Sequence, residues 1–106
     1  MEKEIVAAIL RHLRQRPRCF CWKTHGGMYG TAGIPDIIAC VDGRFVGLEV
    51  KQPGGKLTRL QEATLGRIRA AGGVAAMVTS VEEAGRALDA GLADDRQNGK
   101  EQEESI

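Results

Sequence analysis

A chain of 106 residues has room for one domain, because a domain this small buries only about 60–65% of the surface its unfolded form exposes. Its composition is that of an ordinary globular protein, and three cysteines without paired zinc-site spacing exclude a disulfide framework, leaving them as small apolar residues on strands. No apolar run approaches the roughly 20 residues of a bilayer span and Met1–Glu4 does not read as a signal peptide. The expectation is a soluble intracellular protein without membrane association, in the cytoplasm of a bacterium or of a phage-infected cell.

From Lys3 to about Arg16 the apolar residues Ile5, Val6, Ile9, Leu10 and Leu13 recur at three- and four-residue steps, one stripe of an amphipathic helix that Pro17 ends. Cys19 to Lys23 reads as a short strand. The glycine-rich stretch from His25 to Gly33 lacks the Walker lysine and the dinucleotide-binding glycine spacing, and reads as a loop beside a substrate. Two apolar runs, Ile34–Val41 and Arg44–Lys51, flank Asp42-Gly43, the signal of a type I′ hairpin. After a linker, Thr58 caps a helix running to about Ala71, with Gly72-Gly73 as its stop. Val74–Thr79 is a third apolar run, and Ser80 with Glu83 forms a capping box for a last helix reaching about Ala90.

Residues 1–92 therefore read as one domain and 93–106 as an acidic, disordered tail. The tail carries five acids and two bases, which leaves the domain with 13 bases against 9 acids. A mildly basic domain is compatible with a nucleic-acid partner, a weak argument by itself. The predicted order is α-β-β-β-α-β-α, an α/β fold.

A two-residue turn fixes the hairpin register by arithmetic. Val41 pairs with Arg44, Ala39 with Val46 and Ile37 with Leu48, which sets Asp36 directly opposite Glu49. Alternation then places Asp36, Ile38 and Cys40 on one face with Phe45, Gly47, Glu49 and Lys51, and the purely apolar set on the other. Two like charges across a ladder have Cβ atoms roughly 4.5–5.5 Å apart and repel. A divalent cation relieves that repulsion, since Mg²⁺ takes oxygen ligands from one or two carboxylates. Lys51 points into the same space, and Gly47 and Ile38 are expected to leave that face open. A cation between two carboxylates beside an ammonium is the equipment for phosphodiester hydrolysis. The plainer alternative is a solvated strand edge, and either acid alone would favour it.

The pattern Ile34-Pro35-Asp36 followed by Glu49-Val50-Lys51 is the signature of restriction-endonuclease-like nucleases. With Gly26-Gly27, Gly33-Ile-Pro-Asp36, Gly47-Leu-Glu-Val-Lys51 and Leu57-Thr58-x-x-Gln61 it resembles the virus-type replication-repair nuclease (VRR-NUC) family, over roughly Glu2 to Thr79. The resemblance implies a restriction-endonuclease-like core with a mixed central sheet flanked by helices, and a Mg²⁺-dependent DNA endonuclease in which Mn²⁺ substitutes. It assigns the metal to Asp36, Glu49 and the Val50 carbonyl. Glu4 is the better match to an acid on the first helix, Glu2 being one turn out of phase. Glu4 equally suits the positive end of a helix dipole. Gln61 matches the family's helix glutamine as a catalytic residue beside Asp36, Glu49 and Lys51, and it also completes a capping box with Thr58.

Small stand-alone members of this family resemble Holliday-junction resolvases, which implies branched DNA as substrate and a homodimer. No organic cofactor is implied. DNA would be held through its phosphates, with Lys23, His25, Lys56 and Arg59 as candidate contacts. Arg11, Arg14, Arg16 and Arg18 form a denser basic run that either binds DNA or complements the helix end. Trp22 is read as core or dimer interface. The alternatives are a nuclease of the same fold acting on flaps, ends or nicked duplex, and a catalytically silent nucleic-acid-binding relative.

Overall fold

A computed structural model describes residues 1–25 and 32–104, with side-chain surroundings through residue 93. Most of the glycine loop, including Gly26-Gly27, lies outside the described residues. The chain folds as α1 (Glu2–Leu13), β1 (Cys19–Lys23), β2 (Ile37–Val41), β3 (Arg44–Val50), α2 (Arg59–Ala70), β4 (Val74–Val78) and α3 (Val81–Glu104). This is the expected order of elements. The four strands form one sheet in the order β1-β2-β3-β4. β1 and β2 are antiparallel, as are β2 and β3, while β3 and β4 run parallel with α2 as the crossover. The sheet is therefore mixed, as the resemblance implied.

Two helix ends differ from expectation. α1 stops at Leu13 rather than near Arg16, because the Gln15 and Arg16 amides bond carbonyls three residues back, at 3.2 and 3.0 Å. That tightened turn leads into Pro17, whose ring disfavours helical backbone at the residue before it. α3 was expected to end near Ala90 and instead continues to Glu104. Leu88 and Leu92 are both buried, so the apolar stripe persists past Ala90, and no proline follows to stop the helix. The cap of α3 is also shifted: Ser80 Oγ accepts from the Glu83 amide at 3.1 Å, but the Glu83 carboxylate reaches back to the Thr79 amide at 2.6 Å.

The sheet has helices on both faces. Ile37, Ala39, Val41, Val46, Leu48 and Val50 bury one face against Val6, Ile9, Leu10 and Leu13 of α1 and Ala84, Leu88 and Leu92 of α3. Each fully buried aliphatic side chain contributes on the order of 1.5–3 kcal/mol, so this layer sets the frame on which the hairpin is held. The other face meets α2 through β3 and β4. Over β1 and β2 that face stays open, with Phe20, Trp22 and Cys40 exposed. Burial first, then the neighbouring Cys21, pushes the Cys19 thiol up to about 11, the behaviour of an inert structural cysteine.

Candidate active site

The hairpin register is the one expected. Val41 faces Arg44, Ala39 faces Val46 and Ile37 faces Leu48. Asp42 and Gly43, at φ 52° and 82°, supply the two left-handed residues of the turn. The ladder ends at Ile37–Leu48, and one more step sets Asp36 against Glu49. A further step would pair Val50 with Pro35, but a proline has no N–H to give the Val50 carbonyl. The Val50 amide donates to Asp36 Oδ2 at 2.8 Å, while the Pro35 carbonyl accepts from the Thr24 hydroxyl. The two groups of a strand residue point the same way, so the Val50 carbonyl faces the end of β2 alongside Asp36.

Thr24, just beyond β1, pins this junction. Its hydroxyl donates to the Pro35 carbonyl at 2.8 Å, and its amide donates to the Asp36 carbonyl at 2.9 Å. Sequence reasoning passed over Thr24; its place between Lys23 and His25 at the end of a strand was the available signal.

Glu49 is buried, with 3% of its surface exposed, among otherwise apolar core residues. Burial is the main cause that lifts its carboxyl to about 8, followed by the hydrogen bond to Asp36 and the Asp36 charge, with Lys51 acting in the opposite direction. The protonated form of Glu49 is thereby favoured beside the Asp36 carboxylate. That proton relieves the like-charge repulsion in the way a cation would. The donor set is two carboxylates and a backbone carbonyl, all hard oxygens, which fits Mg²⁺ or Mn²⁺ and would leave further positions to water.

Lys51 follows directly and is half-buried. Its amide is anchored to the Val78 carbonyl at 3.0 Å. The next residues fold back as a turn closed by the Gly55 amide on the Gln52 carbonyl at 2.8 Å, with Pro53 ahead of Gly54 at φ 86°. A Cβ on Gly55 would lie 3.0 Å from Lys51 Cβ, so this turn presses against the lysine's stem. The face around Gly47 is not open as expected. A Cβ there would lie 2.9 Å from Ile68 Cδ1 and 3.0 Å from Pro35 Cγ, because α2 and Pro35 close over it. Gly47 is what lets Pro35 sit close enough to present Asp36.

The remaining assignments divide. Glu4 is 78% exposed at its side chain and pairs with the N-terminal amine at 2.6 Å, which lowers its carboxyl from the usual value. The acid of α1 whose charge bears on Glu49 is Glu2. Among the described residues no three His, Cys, Asp or Glu side chains converge as a metal cluster. Gln61 completes the capping box, its Oε1 accepting from the Thr58 amide at 2.9 Å while Thr58 Oγ1 accepts from the Gln61 amide at 3.1 Å. Its side-chain oxygen is thereby committed to the cap.

Lys23 pairs in register with Ile37, beside Asp36, and is exposed, as are His25, Lys56 and Arg59. Lys23 ends β1 with His25 two residues beyond it, and Arg59 opens α2 with Lys56 three residues before it. The arginine run lies elsewhere. Arg18 pairs with Asp42 in the hairpin turn at 3.2 Å and Arg16 with Asp89 of α3 at 3.5 Å. The turn is roughly 20 Å from Asp36 along β2, so this run is remote from the carboxylates.

An α/β domain with a mixed sheet, flanked by helices and ending a central hairpin in paired carboxylates and a lysine, is the class these elements define. A solved structure described as "VRR_NUC domain" superposes on this chain with a TM-score of 0.69, covering 83% of this chain and 94% of that one at 19% identity. The fold expected from the sequence is thus the fold observed, and it is that of a VRR-NUC domain. No protein-family model and no curated protein matches the chain.

Proposed function

We propose that this chain is a divalent-metal-dependent DNA endonuclease that hydrolyses phosphodiester bonds, selects branched DNA such as four-way junctions, and works as a homodimer. The observation that carries the hydrolytic reading is the buried Asp36–Glu49 pair at the end of the β2–β3 ladder, with Val50 and Lys51 following in line. A hairpin built only for stability would not bury a carboxylate against another carboxylate. The fold shared with a VRR-NUC domain supports the nuclease class, and the branched substrate and the dimer rest on the family resemblance.

In this reading Asp36, Glu49 and the Val50 carbonyl hold Mg²⁺ or Mn²⁺. The cation supplies Lewis acidity toward the phosphate and lowers the pKa of water. Lys51 sits beside the scissile phosphate, where its ammonium orients the attacking water and offsets charge developing on the phosphorus oxygens. Thr24 and Gly47 keep Asp36 in place. Lys23, His25, Lys56 and Arg59 hold the flanking phosphates.

The test is cleavage of labelled four-way junction, flap, nicked and linear duplex DNA with Mg²⁺, Mn²⁺ or EDTA, comparing the wild type with Lys51→Ala. Metal-dependent cutting, reduced on the order of 10²-fold or more in the variant, is expected. The substrate cut fastest decides between junction and the other structures. DNA bound equally in EDTA and never cut would make the chain a silent binding relative.

A further inference from the structure

The face of the sheet that α2 leaves uncovered carries a row of aromatic side chains that the hydrolytic site does not use. Phe20 and Trp22 of β1 are 70% and 45% exposed. Their rings lie 5.5 Å apart at a tilt of 43°, so neither lies flat upon the other. Phe20 faces Cys40, and Cys40 faces Phe45, itself 49% exposed, so the row crosses three strands at one level. Cys40 is small and exposed, and does not screen the rings on either side.

Cations flank the row. Phe45 lines a cleft of about 450 Å³ against α2, and the charged side chain among the described residues of that lining is Arg67, with no acid beside it. Arg67 is exposed and enters no ion pair among the described residues. On the other side of the row, Lys23 is exposed on the edge strand, next to Trp22. The row also leads toward the hydrolytic end. Trp22 faces Ile38, which shares its side of the sheet with Asp36, two residues earlier. At ~3.3 Å per residue and ~4.8 Å between strands, the Trp22 backbone stands about 8 Å from that of Asp36.

We infer that this face is a stacking site for unpaired bases of a DNA strand. Rings on an open sheet face with cations beside them suit a single strand, since each base can lie on a ring while a neighbouring phosphate meets a cation. A duplex gains little from such a surface, because its base faces are already stacked on one another. Two or three successive bases lie on Trp22, Phe20 and Phe45, and Arg67 and Lys23 meet the phosphates between them. The use of this site in cleavage rests on the proposed nuclease reading. There it names the substrate more closely, as a branch point from which an unpaired strand leaves. The stacking itself needs no cleavage.

Trp22 is the single tryptophan, so its emission reports on the row directly. The experiment titrates the full chain in EDTA with short oligothymidine, an abasic strand of the same length and a blunt duplex. It compares the wild type with Phe20→Ala and Arg67→Ala, and circular dichroism confirms the fold of each. The expected result is that oligothymidine quenches Trp22 and binds more tightly than the abasic strand or the duplex. Phe20→Ala should weaken oligothymidine about 5- to 150-fold, the equivalent of one stacked base, and leave the abasic strand unaffected. Arg67→Ala should weaken both single strands and lower the slope of log affinity against log salt by about 0.7, the share of one phosphate. Trp22 emission unmoved by oligothymidine, an abasic strand bound equally well, or a Phe20→Ala variant that binds like the wild type would overturn the site. Trp22 emission that changes with protein concentration before any DNA is added would give the face to a second copy instead. A chain that stacks bases but never cuts keeps this site and loses the nuclease reading; one that cuts with Mg²⁺ but fails these titrations does the reverse.

Discussion

Asp36 accepts the Val50 amide at 2.8 Å, and Val50 is the residue that separates Glu49 from Lys51. One aspartate therefore both faces the buried glutamate and ends the ladder that presents it. Pro35 adds to this by leaving the Val50 carbonyl out of the ladder, because a residue with its own N–H would donate to it.

That double role sets apart two substitutions at Asp36. Asn keeps an acceptor for the Val50 amide and removes one of the two interacting charges, so Asp36→Asn is expected to abolish cleavage while melting at or above the wild type in EDTA. Ala leaves the amide without its acceptor, a cost of about 1–3 kcal/mol. Thermal melts of both variants at pH 8 give the order Asn, wild type, Ala if the relationship holds.

The metal-free fold is expected to weaken as pH rises. Glu49 titrates near its ordinary value of 4.5 when unfolded and at about 8 when folded, chiefly because it is buried. Between those values the folded chain holds more protons than the unfolded one. Its stability is therefore full below pH 4.5 and declines until pH 8. Urea midpoints in EDTA should fall across this range for the wild type and stay nearly flat for Glu49→Gln. Added Mg²⁺ should raise the wild-type midpoint at pH 8 and leave the Gln variant unchanged.

The two acids of α1 are expected to behave oppositely to their helical phase. Glu2→Gln removes a charge that bears on Glu49 and should weaken Mg²⁺ binding several-fold in calorimetry. Glu4→Gln alters only an exposed side chain and should leave the affinity unchanged.

Gln61 is expected to act through the cap. Gln61→Glu preserves an acceptor for the Thr58 amide and should retain both melting temperature and cleavage rate, whereas Gln61→Ala should lose on the order of 0.5–1 kcal/mol. A Glu variant that melts normally but cuts 10²-fold more slowly would place its amide at the phosphate after all.

The sequence by itself determined the hairpin. Turn chemistry at Asp42-Gly43 and a side-chain period of two leave only one register, and that register alone opposes Asp36 to Glu49. The alternation of α and β elements was legible for the same reason: apolar periodicity is a local property that each segment carries within itself. What the tertiary structure decided was everything that depends on which neighbour arrives first. Ile68 and Pro35 close over Gly47, and Thr24 pins a junction 11 residues away. α2 covers two strands and leaves Phe20 and Trp22 bare. These are contacts between elements distant along the chain, and no spacing within a segment encodes how far a helix reaches across a sheet.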